Sequence, residues 1–255
     1  MEWVERIAQD ARGKVQLLTT HYHRNTETHG SAEQLLSPDP RLKEIAACMR
    51  AASQHSGIPW RICEINSFSG GGRPGVSDTF VGALWTLNIM LYLAQSGCAG
   101  VNMETGVNQL GFISSYSPLQ DNGHGLNTAG VPYYGMLAFA AAFAGCHQMF
   151  PLEAVSQEPF QSVYVLGAGG RPRSVVVVNT DPVKAVYIST AELAFPRASL
   201  LRLLAPGSAS TKCVTFGGAT VDSSGHWQPA FKERVRSERI SLPAMSAAVL
   251  IRDED

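Results

Sequence analysis

The 255-residue sequence contains no long uninterrupted apolar segment and no surplus of charge of either sign. Its longest apolar stretch, residues 133–150, is broken by two glycines and a histidine, so it predicts a buried helix rather than a membrane span. A formal net charge of -1 offers no basic face for a nucleic acid. The sequence therefore predicts neither a membrane-spanning nor a nucleic-acid-binding protein.

Targeting signals, paired cysteines and common catalytic motifs are missing as well. The first six residues lack a basic segment followed by an apolar one, so they predict no secretory signal, and the compartment of a longer parent protein stays open. The five cysteines are widely spaced without a Cys-x-x-Cys pair, which favours buried thiols over disulfides or a zinc site. There is no Gly-x-Ser-x-Gly elbow, P-loop or dinucleotide fingerprint, and we predict no cofactor.

The first 150 residues alternate helical and strand-like patterns. Four segments carry apolar residues at helical spacing and predict helices: 2–12, 41–56, about 79–97 and 132–147. Asp39 and Pro40 suit the start of the second helix, and Ser77-Asp78 can cap the third. Three short apolar runs predict strands: 15–20, 60–64 and 100–104. This alternation is typical of parallel β/α units.

Residues 151–255 have a different texture, with short strand-like runs separated by turn residues. Six strands are predicted there: 162–167, 173–179, 185–189, 200–204, 213–216 and 247–251. This pattern suits an antiparallel β-sandwich. A closed eight-unit barrel needs roughly 200–250 residues, more than the first part offers. The predicted fold class is therefore α/β plus all-β: an incomplete (β/α)8 TIM-type barrel over 1–150 followed by a β-sandwich over 151–255.

Glu64 is the residue that most clearly suggests chemistry. It ends a short apolar run, and the glycine-rich segment 70–72 follows almost at once. In barrel enzymes the carboxyl end of a strand opens into the active-site pocket, and glycines let backbone approach a ligand closely. The alternative, a buried and hydrogen-bonded carboxyl group beside a flexible loop, is equally compatible with this segment.

The ends of the three predicted parallel strands should meet at one edge of the sheet. They carry His21-Tyr22-His23, Glu64 and Glu104. The two glutamates form a possible carboxylate pair, the minimum for glycoside hydrolysis, although a polar contact is the favoured role for Glu104. The His-x-His spacing can place two imidazoles on one face of a strand. The sequence offers no third ligand at recognisable spacing, and so we predict no metal site.

Further side chains near these strand ends could contact a ligand. Asn66 and Ser67 could hydrogen-bond the Glu64 carboxylate or a sugar hydroxyl, although both are also common turn residues. Tyr116 follows the third strand and could close over a ligand.

The chain resembles glycoside hydrolase family 79, which includes β-glucuronidases and heparanase. The matching blocks follow the family's order: His21-Tyr22-His23, Glu64-Ile-Asn-Ser with Gly70-Gly71-Gly72, Gly75-Val-Ser-Asp-Thr-Phe80 with Ala83-Leu-Trp85, Gly100-Val-Asn102, Tyr133-Tyr-Gly135, and Leu242-Pro243 through Ser246-Ala-Ala-Val-Leu250. The resemblance implies that the first part holds about the last three β/α units of a barrel, followed by the family's C-terminal β-domain.

By this resemblance, Glu64 is the nucleophile of a retaining mechanism, and the glycine loop contacts the carboxylate of the substrate. The family's acid/base residue lies at the fourth barrel strand, which has no counterpart here, and Glu104 does not match it. Besides catalytic Glu64, the predicted substrate-binding residues are His21, Tyr22, Asn66, Gly70, Gly71, Glu104 and Tyr116.

The resulting functional prediction is a β-glucuronidase-like hydrolase portion that acts on a β-glucuronide-type glycan but is inactive or partner-dependent alone. An unpaired first strand predicts self-association or a partner chain that supplies the missing strands. Two alternatives stay open at this point: a non-catalytic carbohydrate-binding or interaction remnant, and an unrelated α/β enzyme that uses Glu64 and Glu104 as an acid/base pair.

Overall fold

The computed structural model describes residues 2–10, 13–106, 113–121, 127–151, 160–189, 197–235 and 239–253. The helices are α1 (Glu2–Asp10), α2 (Ala32–Leu36), α3 (Pro40–Ser56), α4 (Phe80–Gln95) and α5 (Val131–Phe143). The strands are β1 (Leu18–Thr26), β2 (Trp60–Ser69), β3 (Val101–Met103), β4 (Leu119–Asp121), β5 (Asn127–Ala129), β6 (Gln148–Phe150), β7 (Gln161–Ala168), β8 (Arg171–Asn179), β9 (Val186–Ser189), β10 (Ala198–Leu204), β11 (Thr215–Phe216), β12 (Glu233–Val235), β13 (Arg239–Leu242) and β14 (Ser246–Arg252).

Three parallel strands form the sheet that carries the predicted site, in the order β1-β2-β3. The predicted strand at 15–20 was placed too early, because β1 continues through the polar residues His21 to Thr26. Those residues stay extended since they pair with β2, with His21 opposite Glu64 and His23 opposite Asn66. Within the described residues these strands do not close into a barrel.

Helix starts show both a confirmed prediction and a wrong one. Helix α3 begins at Pro40, with Asp39 Oδ1 accepting from the Arg41 amide at 3.0 Å, as the local sequence predicted. Helix α4 begins at Phe80 after Thr79, and the expected cap at Ser77-Asp78 is wrong. Both side chains have other partners: Ser77 Oγ accepts from Ser67, and Asp78 accepts from the Gly75 amide.

The antiparallel part is one seven-stranded sheet with a helical cover. Its main order is β11-β10-β14-β8-β7-β6, with β12 also paired to β10. One face packs on α4 and α5, through apolar residues such as Leu87, Ala138 and Val176. The other face packs on the two-stranded sheet β13-β9. Strand β6, which precedes residue 151, already belongs to this sheet, while the division of the chain near residue 150 stays a prediction.

No helix in the described part of the chain combines the length and apolar character needed to cross a membrane.

A buried charge cluster joins β1 to the start of α3. The Tyr22 hydroxyl donates to Asp39 Oδ2 at 2.6 Å, and Arg24 forms an ion pair with the same oxygen at 2.9 Å. Burial alone would raise the pKa of the Asp39 carboxyl, but the Tyr22 hydrogen bond and the Arg24 charge outweigh it and lower that pKa. For Tyr22, burial and the neighbouring carboxylate raise the pKa of the hydroxyl.

Replacing Asp39 with asparagine is expected to flatten the acid dependence of stability. A lowered folded-state pKa means that Asp39 contributes stability above its unfolded pKa of about 3.9. That contribution is lost as the pH falls through the still lower folded value. Melting temperatures measured from neutral to acid pH should fall more steeply for the wild type than for Asp39→Asn. The exposed Asp10→Asn variant is the control, and equal slopes for wild type and Asp39→Asn would contradict the assignment.

Candidate active site

The parallel register of β1 and β2 places four site side chains on one face of the sheet. His21 pairs with Glu64 and His23 pairs with Asn66, and side chains of alternate residues share a face. Glu104 follows β3 directly, and its amide donates to the Ile65 carbonyl of β2 at 3.0 Å. The predicted residues therefore meet, but the predicted end of the second strand at Glu64 is wrong. Strands β1 and β2 continue to Thr26 and Ser69, so the histidines and Glu64 lie in mid-strand.

Two histidine–glutamate contacts define the geometry of this cluster. His21 Nδ1 lies 3.4 Å from Glu64 Oε2, and His23 Nε2 lies 3.0 Å from Glu104 Oε2. One nitrogen of His23 and one carboxylate oxygen each of Glu64 and Glu104 lie within 4.8 Å of one another. Each glutamate side chain is 40% exposed. Glu64 is thus accessible to a ligand, unlike the buried carboxyl group of the alternative interpretation.

Asn66 is enclosed behind the cluster rather than open to a ligand. Its side chain is buried, and Nδ2 donates to the Glu104 carbonyl at 2.7 Å and to the Tyr116 carbonyl at 3.4 Å. Asn66 Oδ1 accepts from the Ser67 amide at 2.8 Å. Asn66 therefore holds the backbone of Glu104 and Tyr116 in place. Its burial argues against a direct contact with substrate.

Tyr116 is buried with its hydroxyl next to the two carboxylates. Its ring centroid lies 6.3 Å from that of His23. Burial raises the pKa of the Tyr116 hydroxyl, as do a hydrogen bond to Glu104 and the charges of Glu104 and Glu64, while a backbone hydrogen bond from Gly71 opposes them. The hydroxyl consequently stays protonated near neutral pH and can donate to the Glu104 carboxylate.

The glycine loop packs against the segment that carries Tyr116. Gly70, Gly71 and Gly72 all have positive φ, at 81°, 97° and 82°, a backbone region that other residues rarely adopt. The Ser115 hydroxyl donates to the Gly71 carbonyl at 3.1 Å, and a Cβ on Gly72 would lie 2.9 Å from the Tyr116 backbone nitrogen. The loop therefore reaches the edge of the cluster, and its contact with a substrate carboxylate stays a prediction.

The structure brings most of the predicted residues together but leaves Tyr22 apart. His21, Glu64, Glu104 and Tyr116 surround one site, whereas the Tyr22 hydroxyl binds Asp39. The alternation of side chains along β1 separates Tyr22 from both histidines, and that alternation was available in the sequence. His23 was considered with His21 but left out of the predicted substrate-binding residues, although the same alternation places the two side chains on one face.

The sequence comparisons find two partial relatives. No family model matches the chain. It is 40% identical over 81 residues to a β-glucuronidase of Neurospora crassa, which covers 32% of this chain and 14% of that protein. It is 36% identical over 89 residues to a β-glucuronidase of Aspergillus niger, which covers 35% of this chain and 16% of that protein. The matched segments thus span less than a fifth of these relatives.

Solved structures match nearly the whole chain. A 4-O-α-L-rhamnosyl-β-D-glucuronidase from Fusarium oxysporum 12S superposes with a TM-score of 0.77 at 20% identity, over 97% of this chain and 56% of that one. A GH51 α-L-arabinofuranosidase from Thermotoga petrophila gives a TM-score of 0.62 at 13% identity, over 98% and 55%. The chain therefore has the fold of slightly more than half the length of each of these two enzymes. Over about a third of its own sequence it is similar to β-glucuronidases, as its motifs indicated.

Proposed function

We propose that this chain is the nucleophile-bearing portion of a retaining β-glucuronidase-type glycosidase of family 79. The observation that carries the proposal is Glu64, accessible within the parallel strand β2, in contact with His21 and close to Glu104. The partial similarity to two β-glucuronidases supports the substrate class.

In the proposed mechanism the Glu64 carboxylate attacks the anomeric carbon as the bond to the leaving oxygen breaks. A covalent glycosyl ester forms, and water then hydrolyses it with retention of configuration. His21, 3.4 Å from Glu64, orients the carboxylate. The glycine loop at Gly70 and Gly71 is proposed to meet the carboxylate of a glucuronide, beside the Tyr116 hydroxyl, which donates its proton to Glu104.

In this proposal, residues 1–150 form about the last three β/α units of a barrel, and residues 151–255 form the β-sandwich domain that follows it. Strands β1 and β3 are the two edges of the parallel sheet. An open groove runs along the β1 edge, past His23, Asn25 and Arg41, and an apolar groove runs along the β3 edge, between Val101 and Phe143. Parallel strands of a partner segment, which would also bring the acid/base residue, fit these edges.

A chimera tests this proposal. This chain would replace the portion that it resembles in the Neurospora crassa β-glucuronidase, and hydrolysis of a nitrophenyl β-glucuronide would be measured. We expect the chimera to be active and the separate chain to be slower by roughly 10²–10⁴, the usual contribution of general acid–base catalysis. A chimera that folds, by circular dichroism and gel filtration, but does not turn over would count against the proposal and leave a non-catalytic carbohydrate-binding role.

A second candidate function follows from the closeness of the two glutamates. Their nearest ligand oxygens lie within 4.8 Å, nearer to the ~5–5.5 Å of retaining carboxyl pairs than to the ~6.5–9.5 Å of inverting pairs. Under this alternative Glu104 is the acid/base residue and the separate chain is active. Robust hydrolysis by the chain alone, lost in both Glu64→Gln and Glu104→Gln, would favour it.

A further inference from the structure

We propose that His21, His23, Glu64 and Glu104 bind a single divalent transition-metal cation, with zinc as the best match. The sequence supplied two imidazoles at His-x-His spacing but no further ligand. The fold supplies two carboxylates from neighbouring strands at the same place. This inference goes beyond the proposed glycosidase function and does not depend on it.

The distances between the donor atoms suit a small cation. Zinc–nitrogen and zinc–oxygen bonds of about 2.0–2.2 Å in a tetrahedron separate the donors by about 3.3–3.6 Å. The observed pairs are His23 Nε2 to Glu104 Oε2 at 3.0 Å and His21 Nδ1 to Glu64 Oε2 at 3.4 Å. One donor each from His23, Glu64 and Glu104 lies within 4.8 Å of the other two, and His21 adjoins this group through its contact with Glu64.

The chemistry of the four donors selects the class of cation. Two neutral imidazoles and two carboxylates carry a net charge of -2, which a divalent cation neutralises. Imidazole donors favour zinc, copper and nickel over magnesium and calcium, which prefer oxygen-only sites. The nearby Arg41 guanidinium donates to the backbone carbonyl of His23 rather than to either carboxylate. The ion pairs formed by Glu64 and Glu104 among the described residues are with these histidines.

One of the donors, Glu104, is held by hydrogen bonds from its surroundings. Tyr116 donates to the Glu104 carboxylate, and Asn66 fixes the Glu104 backbone through its carbonyl at 2.7 Å. Three of the four donors lie on β1 and β2, where His21 pairs with Glu64 and His23 pairs with Asn66. Such supporting contacts orient metal ligands and raise affinity. The 40% exposure of each glutamate leaves one side open for a cation to enter and for water or another ligand to bind it.

Occupancy of this site would have a direct consequence for Glu64. A carboxylate that coordinates a cation cannot at the same time form a bond to an anomeric carbon. The cation and a glycosyl group would therefore compete for the same oxygens.

Isothermal titration of the chelator-treated full chain with zinc chloride tests the proposal without measuring hydrolysis. We expect one saturable site, weakened at least tenfold in His23→Ala and in Glu104→Gln. The exposed His147→Ala is the matched control and should bind like wild type. Titration with cobalt chloride should give the visible absorption of four-coordinate cobalt in wild type and lose it in both variants.

Two outcomes would overturn the proposal. One is the absence of saturable zinc and cobalt binding by the wild type. The other is binding that persists unchanged in a His23→Ala/Glu104→Gln double variant, which would assign the metal to other donors such as the cysteines. Circular dichroism of every variant establishes that it is folded, and Glu104→Gln, which keeps the size of the side chain, provides the test if His23→Ala fails to fold. Hydrolysis by the chimera is measured on chelator-treated protein without added metal, so the two proposals fail separately.

Discussion

Replacing Glu64 with glutamine in the chimeric enzyme is expected to lower kcat for a nitrophenyl β-glucuronide by roughly 10⁴-fold or more, an effect of the order seen when other enzymes lose a nucleophile. The amide has nearly the shape of the carboxylate but does not attack an anomeric carbon. The accessible position of Glu64 next to His21 gives the substitution little reason to disturb folding. Steady-state kinetics would measure the loss, and mass spectrometry with a 2-fluoro glucuronide would locate the covalent adduct on Glu64 in the unsubstituted chimera.

Glu104→Gln is the matched control, because its side chain has the same length and the same 40% exposure. If Glu104 only contacts substrate, this variant should raise KM more than it lowers kcat. A loss of kcat equal to that of Glu64→Gln would support the acid/base pair instead. An adduct on any residue other than Glu64 would refute its assignment as the nucleophile.

Substituting alanine for Gly135 is expected to destabilise the protein by about 3 kcal/mol, the upper range for overpacking a core. Helix α5 lies directly against the backbone of α4 at this glycine. A Cβ there would overlap the carbonyl oxygen of Ala83 and lie 2.9 Å from the Leu87 backbone nitrogen. These are backbone atoms of a buried helix, which no side-chain rotation can move aside. Urea denaturation would measure the change in the free energy of unfolding.

Gly207→Ala provides the comparison for this substitution. The nearest atom to a Cβ at Gly207 is the Ser210 Oγ, 3.9 Å away, and its backbone needs no left-handed conformation. We expect this variant to differ from wild type by less than about 0.5 kcal/mol, as surface substitutions usually do. Equal stability of Gly135→Ala and Gly207→Ala would mean that α4 and α5 pack less tightly than described.

Features with local signals were predictable from the sequence. The Asp39-Pro40 start and the Gly57 end of α3 are of this kind, since each acts through its own backbone. The meeting of Glu64 with Glu104 was also predictable, because neighbouring parallel strands bring them together, although Glu64 lies in mid-strand and not at the predicted strand end. In both cases the physical cause lies within a few residues or in a general property of sheets.

Features that depend on distant partners were not predictable in the same way. Strand β1 extends through His21 and His23 because β2 pairs with it, although an apolar pattern would have ended the strand earlier. Ser77 looks like a helix cap but bonds to Ser67 of β2, ten positions away. Tyr116 becomes a buried donor through a hydrogen bond to Glu104, the residue that follows β3. Such contacts exist only once the chain is folded.

The packing of α4 and α5 against the antiparallel sheet helps to explain how the parallel sheet is stable without closing into a barrel within the described residues. In a closed barrel, helices gain apolar contacts from adjoining units around the ring. Here Leu87 and Ala138 obtain such contacts from strands late in the chain, among them Val176 and Val249. The later strands thus act as a scaffold for the earlier helices. Removing them would therefore deprive α4 and α5 of these apolar neighbours.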